Sequence, residues 1–202
     1  MAMRKEQLYA MQEYLELERQ VDIKSEFYNG QIYAMSGAST KHNIIATNII
    51  GELYQKLKGQ SCQAFGSDMR LKASEHMAAY PDVMIVCGKL ETVEDKYKDT
   101  ILNPMVIMEI LSPTTEQYDR GVKFAHYRKN ESLQEYLLIS QNQPCVERYR
   151  RVNNGDWMYC AITGLDAKVI LESVGVTLNL ADVYDRIDFS IDEEVVVAPP
   201  TE

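Results

Sequence analysis

The chain has 202 residues, 46% of them hydrophobic and 25% charged; one domain with a sizeable core fits this better than two small ones. Its formal net charge of −9 argues against general affinity for nucleic acid, because phosphate contacts need Lys and Arg. No apolar run reaches 18 residues, so no transmembrane helix is expected.

Residues 5–18 have the pattern of an amphipathic helix, with Leu8, Met11, Leu15 and Glu18 in step. The N-terminus lacks the apolar core and cleavage site of a signal peptide. Residues 25–35 read as two short strands around Asn29-Gly30, a turn pair in which both positions accept φ > 0. Ser39 or Thr40 can cap a long helix over 39–58, with Ile45, Ala46, Ile49, Ile50, Leu53 and Leu57 as its stripe and His42 in its first turn. Strand-like segments follow at 62–65, 68–73, 82–87 and 104–111, the first two readable as one bent strand. The last two are almost continuously apolar, as strands buried on both faces are, and a polar surface loop separates them.

Ser112-Pro113 breaks the strand, and a second helix is expected over 115–129. Tyr118, Val122 and Ala125 form its apolar stripe, with Asp119, Lys123 and His126 on the adjoining flank. Residues 135–140 read as a buried strand. Residues 144–151 and 157–163 alternate like antiparallel strands joined at Asn153-Asn154-Gly155. A short strand near 168–171, a turn-strand and a short helix over 180–184 complete the order. Residues 1–190 are thus expected to form one α/β domain: a mixed central sheet flanked by helices, with an N-terminal helix and hairpin and a C-terminal β meander. Residues 191–202 are expected to be a frayed tail, and 141–190 suit either a dimer surface or a cover for the sheet.

Cys62, Cys87, Cys145 and Cys160 are far apart and form no CxxC. Read as free thiols acting as small hydrophobes, they point to a reduced, cytoplasmic protein and away from a zinc site. Charge is uneven. Residues 116–151 carry seven Lys or Arg against five acids, a net of +2, leaving −11 for the remainder. A nuclease reading must place its substrate against that segment.

Two carboxylates stand in odd places. Asp82 heads one apolar run, and Glu109 lies inside the next, among Val106, Ile107, Met108, Ile110 and Leu111. A buried charge is costly unless solvated, paired or bound to metal. On neighbouring strands the two carboxylates could share one Mg²⁺, a hard cation that takes oxygen ligands and keeps several waters. The competing reading satisfies each with backbone amides or a Lys or Arg. Lys123 suits a catalytic ammonium, but Asp119 four residues earlier equally makes a surface ion pair. His42 is more simply a core or capping residue, and Glu26 a solvated turn residue.

Pro81-Asp82 followed by Glu109 resembles the PD-(D/E)xK nuclease superfamily. The wider pattern is more specific: LERQVDIKSEFYNGQIYAMSGAS, then His42, GSDMRL, YPDVMIV, EILSPTTEQYDRGVKFAHYR and LQEYLLISQ. It is similar to the Uma-two family of bacterial proteins, described as putative restriction endonucleases, over about residues 10–190. The resemblance implies a restriction-endonuclease-like fold, a Mg²⁺-dependent endonuclease (Mn²⁺ as substitute) acting on DNA phosphodiesters, and a homodimer. It makes Asp82, Glu109 and Lys123 catalytic, with Asp82, Glu109 and the Ile110 carbonyl on the metal. Glu26 and His42 match secondary positions. The motif's lysine belongs two residues after Glu109, where this chain has Leu111; the resemblance puts Lys123 in that role. The alternative is a catalytically relict module of the same fold that binds nucleic acid or a protein partner.

Overall fold

The computed structural model describes residues 7–190; the tail at 191–202 and the first residues of the expected N-terminal helix lie outside them. Helix α1 is Met11–Glu18, shorter than the 5–18 expected. Ala10 is extended, its amide donates to Glu13 Oε2 at 2.7 Å, and the Tyr9 amide bonds the Gly30 carbonyl at 2.8 Å. Residues 7–10 are therefore tied along the hairpin turn rather than wound into the helix. Strands β1 (Ser25–Tyr28) and β2 (Gln31–Ala34) form that hairpin. Asn29 and Gly30 carry φ of 48° and 87°, and a Cβ on Gly30 would stand 3.2 Å from Leu8.

Helix α2 is Thr40–Leu57, capped by Ser39, whose Oγ accepts the His42 amide at 3.1 Å. Strands β3 (Cys62–Gly66), β4 (Arg70–Ser74), β5 (Met77–Ala79), β6 (Val83–Cys87), β7 (Thr100–Ile101) and β8 (Val106–Ile110) follow. Helix α3 (Glu116–Tyr118) runs without a break through a π-helical turn, Asp119–Lys123, into α4 (Phe124–Tyr127). Strands β9 (Glu135–Ile139), β10 (Cys145–Arg151), β11 (Trp157–Thr163), β12 (Lys168–Leu171) and β13 (Val176–Asn179) and the short helix α5 (Leu180–Val183) complete the order.

The expected mixed sheet is present, in the order β11-β10-β9-β8-β6-β3, with β8 and β9 parallel and the other pairs antiparallel. A second sheet, β2-β1-β5-β4-β7, packs beside it. The segments at 62–65 and 68–73 are thus not one bent strand. The chain turns at Gly66–Met69, where the Met69 amide bonds the Gly66 carbonyl, and β3 and β4 enter different sheets. Strands β5 and β7, too short to show a period, had no counterpart in the sequence reading.

The continuous apolar runs serve two cores. Val83, Ile85, Val106, Met108 and Ile110 face α2, whose Ile45, Ile49, Leu53 and Leu57 are buried. Each such side chain contributes roughly 1.5–3 kcal/mol. Met84, Val86 and Ile107 face the other way, onto Leu71, Met77, Ala79, Ile101 and Tyr127. Residues 168–184 pack alongside α2 on the same face of the sheet: Val169, Leu171, Val176, Leu178, Leu180 and Val183 join the core shared by α2, Leu137 and Val146. That segment is therefore a cover.

The free-cysteine reading needs correction. Cys62 and Cys87 are direct partners across β3 and β6, with Cα atoms 3.9 Å apart, and form a disulfide. Cys145 and Cys160 are free. The inference of a reducing compartment from unpaired cysteines does not hold for the first pair. Among the described residues no helix is long and apolar enough to cross a membrane.

Candidate active site

Register places the two odd carboxylates together. Val83 pairs with Met108, so one step further along the antiparallel ladder Asp82 stands opposite Glu109, and directly opposed residues share a face. That face is the one between the two sheets. The Ile110 amide donates to Asp82 Oδ2 at 2.7 Å, and the Asp82 amide lies 3.4 Å from Glu109 Oε2. His42 Nε2 stands 3.1 Å from Asp82 Oδ2. The cap at Ser39 fixes the first turn of α2, which aims this ring at the strand mouth.

Lys123 reaches the same place from the π-helical turn. Its Nζ is 3.0 Å from Asp119 Oδ1, 3.2 Å from Glu109 Oε1 and 3.4 Å from Glu26 Oε1. The Asp119–Lys123 pair is present, but it is not a surface pair: Asp119 and Lys123 are 2% and 6% exposed. The expected stripe of Tyr118, Val122 and Ala125 is only half-buried, and the flank of Asp119, Lys123 and His126 faces inward instead. Three acids from separate elements make that inversion tolerable, since they compensate the buried ammonium. Glu26 is not a solvated turn residue either. It lies in β1, is 8% exposed, and faces Lys123 from the second sheet. Ile110 lies at the end of β8, with its amide committed to Asp82.

Residues that sequence reasoning passed over complete the cluster. The Tyr127 hydroxyl donates to Glu109 Oε1 at 2.9 Å, and the Tyr136 hydroxyl donates to the Asp119 carbonyl at 2.9 Å. The signal for Asp119 was its spacing from Lys123. Nothing in the residues flanking Tyr127 or Tyr136 marked either hydroxyl as part of the cluster. Gln141 is buried between Leu111, whose carbonyl accepts its amide, and Ser39.

Electrostatics sharpens the picture. Glu26, Glu109 and Asp119 surround one ammonium, with Asp82 beside Glu109; the four acids and the lysine make a formal −3 when all are ionised. Burial drives the Glu109 carboxyl well above its ordinary 4.5; Lys123 opposes this, while Asp119, Asp82 and Glu26 add to it. Burial works against the Lys123 charge, but Glu109, Glu26 and Asp119 outweigh it and hold its pKa above 10.5. Lys123 is thus an ammonium, and burial favours the protonated form of Glu109. Glu26 Oε1 and Asp119 Oδ1 are buried with no aligned hydrogen bond. An excess of hard oxygen donors with surplus negative charge suits a divalent cation such as Mg²⁺. Among the described residues no three His, Cys, Asp or Glu side chains stand where they could share one ion. A cation on Asp82 and Glu109 would therefore complete its shell with backbone oxygen and water, as Mg²⁺ commonly does.

The basic segment differs from expectation. Arg120 is committed to Glu147 and Glu116, Arg150 to Glu172, and Arg151 to the carbonyls of Leu133, Arg128 and Asn130. Arg148 bonds the Ile170 carbonyl and lies near Glu135. Most of the cations counted there hold the fold together.

Comparison with known proteins adds the relatives. The Uma2 family model, described as "Putative restriction endonuclease", matches residues 11–181. The uncharacterized protein slr1290 of Synechocystis sp. is 32% identical over 179 residues, covering 88% of this chain and 92% of that protein. A second Synechocystis protein, the uncharacterized sll1609, is 36% identical over 158 residues, covering 78% and 89%. A crystal structure of a "putative nuclease belonging to DUF820" from Anabaena variabilis matches with a TM-score of 0.72 over 90% of this chain and 97% of that one, at 22% identity. That likeness concerns the fold, and it agrees with the restriction-endonuclease-like α/β architecture expected from the sequence.

Proposed function

This chain belongs to the Uma2 family, and from that premise we propose that it is a divalent-metal-dependent nuclease hydrolysing DNA phosphodiesters at the Asp82–Glu109–Lys123 cluster. One observation carries the reading: two strand carboxylates on one face with a buried ammonium 3.2 Å from the second. Asp82 and Glu109 would hold Mg²⁺ or Mn²⁺. The Ile110 carbonyl is a fitting third donor, because the N–H and C=O of one strand residue leave the same edge and the Ile110 amide already points at Asp82. A bound ion of this kind supplies Lewis acidity, favouring ionised water and offsetting charge on the phosphoryl oxygens.

The chain's own groups do the rest. Lys123 orients the attacking water and offsets charge that grows in the transition state. Asp119 and Glu26 keep it protonated and fixed. His42 steadies the Asp82 carboxylate, and the Ile110 amide holds its other contact. Leu111, where the superfamily motif has lysine, packs in the core. An ammonium on a long stem from the neighbouring helix reaches the acid instead.

The test is cleavage of single- and double-stranded DNA with Mg²⁺, with Mn²⁺ and with chelator. Cation-dependent cleavage that falls roughly 10²–10³-fold in Lys123→Met, and that is lost in Asp82→Asn, supports the proposal. A folded wild type that cuts no DNA with either ion overturns it. The commitment of Arg120, Arg148, Arg150 and Arg151 to internal partners favours a second reading, a module of the same fold without catalysis. It predicts nucleic-acid or protein binding that Asp82→Asn leaves unchanged.

A further inference from the structure

We infer that Tyr127 is a positioning residue for the cation site, acting through Glu109 by fixing which carboxylate oxygen faces Asp82. The inference rests on the reading of Asp82 and Glu109 as cation ligands. Tyr127 is fully buried, and its hydroxyl is 2.9 Å from Glu109 Oε1. Lys123 Nζ approaches the same oxygen at 3.2 Å. With two donors gathered on Oε1, the other oxygen, Oε2, is turned to the Asp82 amide at 3.4 Å. Glu109 thus has one oxygen committed inward and one presented toward Asp82.

Lys123 cannot fix that orientation alone. Its ammonium is divided among Asp119, Glu109 and Glu26 at 3.0, 3.2 and 3.4 Å, so it has no single direction in which to hold Glu109. The phenol has one donor and uses it on Glu109. Its ring cannot swing away, because Tyr136 packs against it edge-on with centroids 5.5 Å apart, and Leu71, Met77 and Ile107 belong to the same core. The Tyr136 hydroxyl is spent elsewhere, on the Asp119 carbonyl. Partners that orient a ligating carboxylate commonly govern cation affinity as strongly as 10–100-fold.

The experiment is calorimetric titration of the whole chain with Mn²⁺ alone, in parallel with Tyr127→Phe. Phenylalanine keeps the ring and removes only the donor. Tyr184→Phe is the control for a merely structural loss. It deletes another buried hydroxyl, the one bonded to the Cys145 carbonyl at 2.7 Å, far along the sequence on the α2 side of the sheet. The expected result is a Kd for Mn²⁺ raised about tenfold or more in Y127F and unchanged in Y184F. Tyr127→Met, an apolar filler without a donor, carries the same expectation and serves if the phenylalanine form does not fold. Unchanged Mn²⁺ affinity in a folded Tyr127 variant, or an equal loss in Y184F, overturns the inference. A wild type that binds no Mn²⁺ overturns instead the reading of Asp82 and Glu109 on which it stands.

Discussion

Lys123 meets Glu109 across elements: its Nζ stands 3.2 Å from Oε1, carried there by a π-helical turn and not by the strand that holds the acid. Removing the ammonium leaves buried carboxylates facing one another. Lys123→Met is expected to lose about 3–5 kcal/mol of stability at pH 7, the usual cost of breaking a buried pair. The loss should shrink when Glu26→Gln or Asp119→Asn is added, since each deletes one uncompensated charge. Urea denaturation of the single and double variants checks this. A milder effect in the single variant than in the doubles would contradict the charge argument.

A second expectation concerns pH. Burial, with the neighbouring acids, sets the folded Glu109 pKa above the ordinary 4.5 against the pull of Lys123. The folded chain therefore keeps a proton that the unfolded chain gives up. Glu109's contribution to stability is full below about 4.5 and declines as pH rises from there toward the raised value. On the proposed cation site, saturating Mg²⁺ would favour the ionised acid in the folded state and should flatten that decline, as should Glu109→Gln. Denaturation midpoints in chelator and in Mg²⁺, taken at pH 5 and pH 8, measure both.

At the Arg19 latch the slope has the opposite sign. Arg19 binds Asp99 through Nε and Nη2 at 2.8 and 2.7 Å and Asp95 at 2.6 Å. The Asp99 carboxyl is held far below 3.8, chiefly by Arg19 against its partial burial, with Arg70 and Thr100 assisting. This contribution is present above about 3.8 and disappears as pH falls below it. Asp99→Asn should lower stability at neutral pH, flatten the loss on the acid side and leave the neutral-to-alkaline decline in place. A circular-dichroism acid titration of the two proteins distinguishes them.

The Cys62–Cys87 disulfide closes a loop with a sequence separation of 25. Chain-entropy reasoning gives such a loop about 3.5 kcal/mol. Peptide mapping without reductant should recover these two cysteines linked and Cys145 and Cys160 as free thiols. Reduction should lower the denaturation midpoint of the wild type and leave that of a Cys62→Ala/Cys87→Ala variant unmoved.

The site was half legible. Asp82 and Glu109 stood out because charge inside an apolar strand is costly, and their pairing followed once the strands were neighbours. Lys123 was visible too, though the same i, i+4 spacing that revealed Asp119 also suited an exposed ion pair; burial, which spacing does not encode, decides between them. Glu26 was misjudged because a hairpin signal implies solvent, and only the docking of the second sheet removes it. The mixed central sheet was legible, but the second sheet was not: the turn at Gly66–Met69 sends the chain from β3 in one sheet to β4 in the other, a choice made by long-range packing. The net charge of residues 116–151 does not reveal that Arg120 and Arg151 are held by Glu147 and by the carbonyls of Leu133, Arg128 and Asn130, contacts that only the folded chain makes.

Glu26 belongs to one sheet, Asp82 and Glu109 to the other, and Lys123 to the helical segment between them. Asp82, Glu109, Asp119 and Lys123 come from one stretch of chain, whereas Glu26 reaches Lys123 only through the docking of the second sheet. On the proposed reading, the cluster is complete only when the β1–β2 hairpin is docked, so a substitution that loosens the contact between the sheets would disturb the site without touching Asp82 or Glu109.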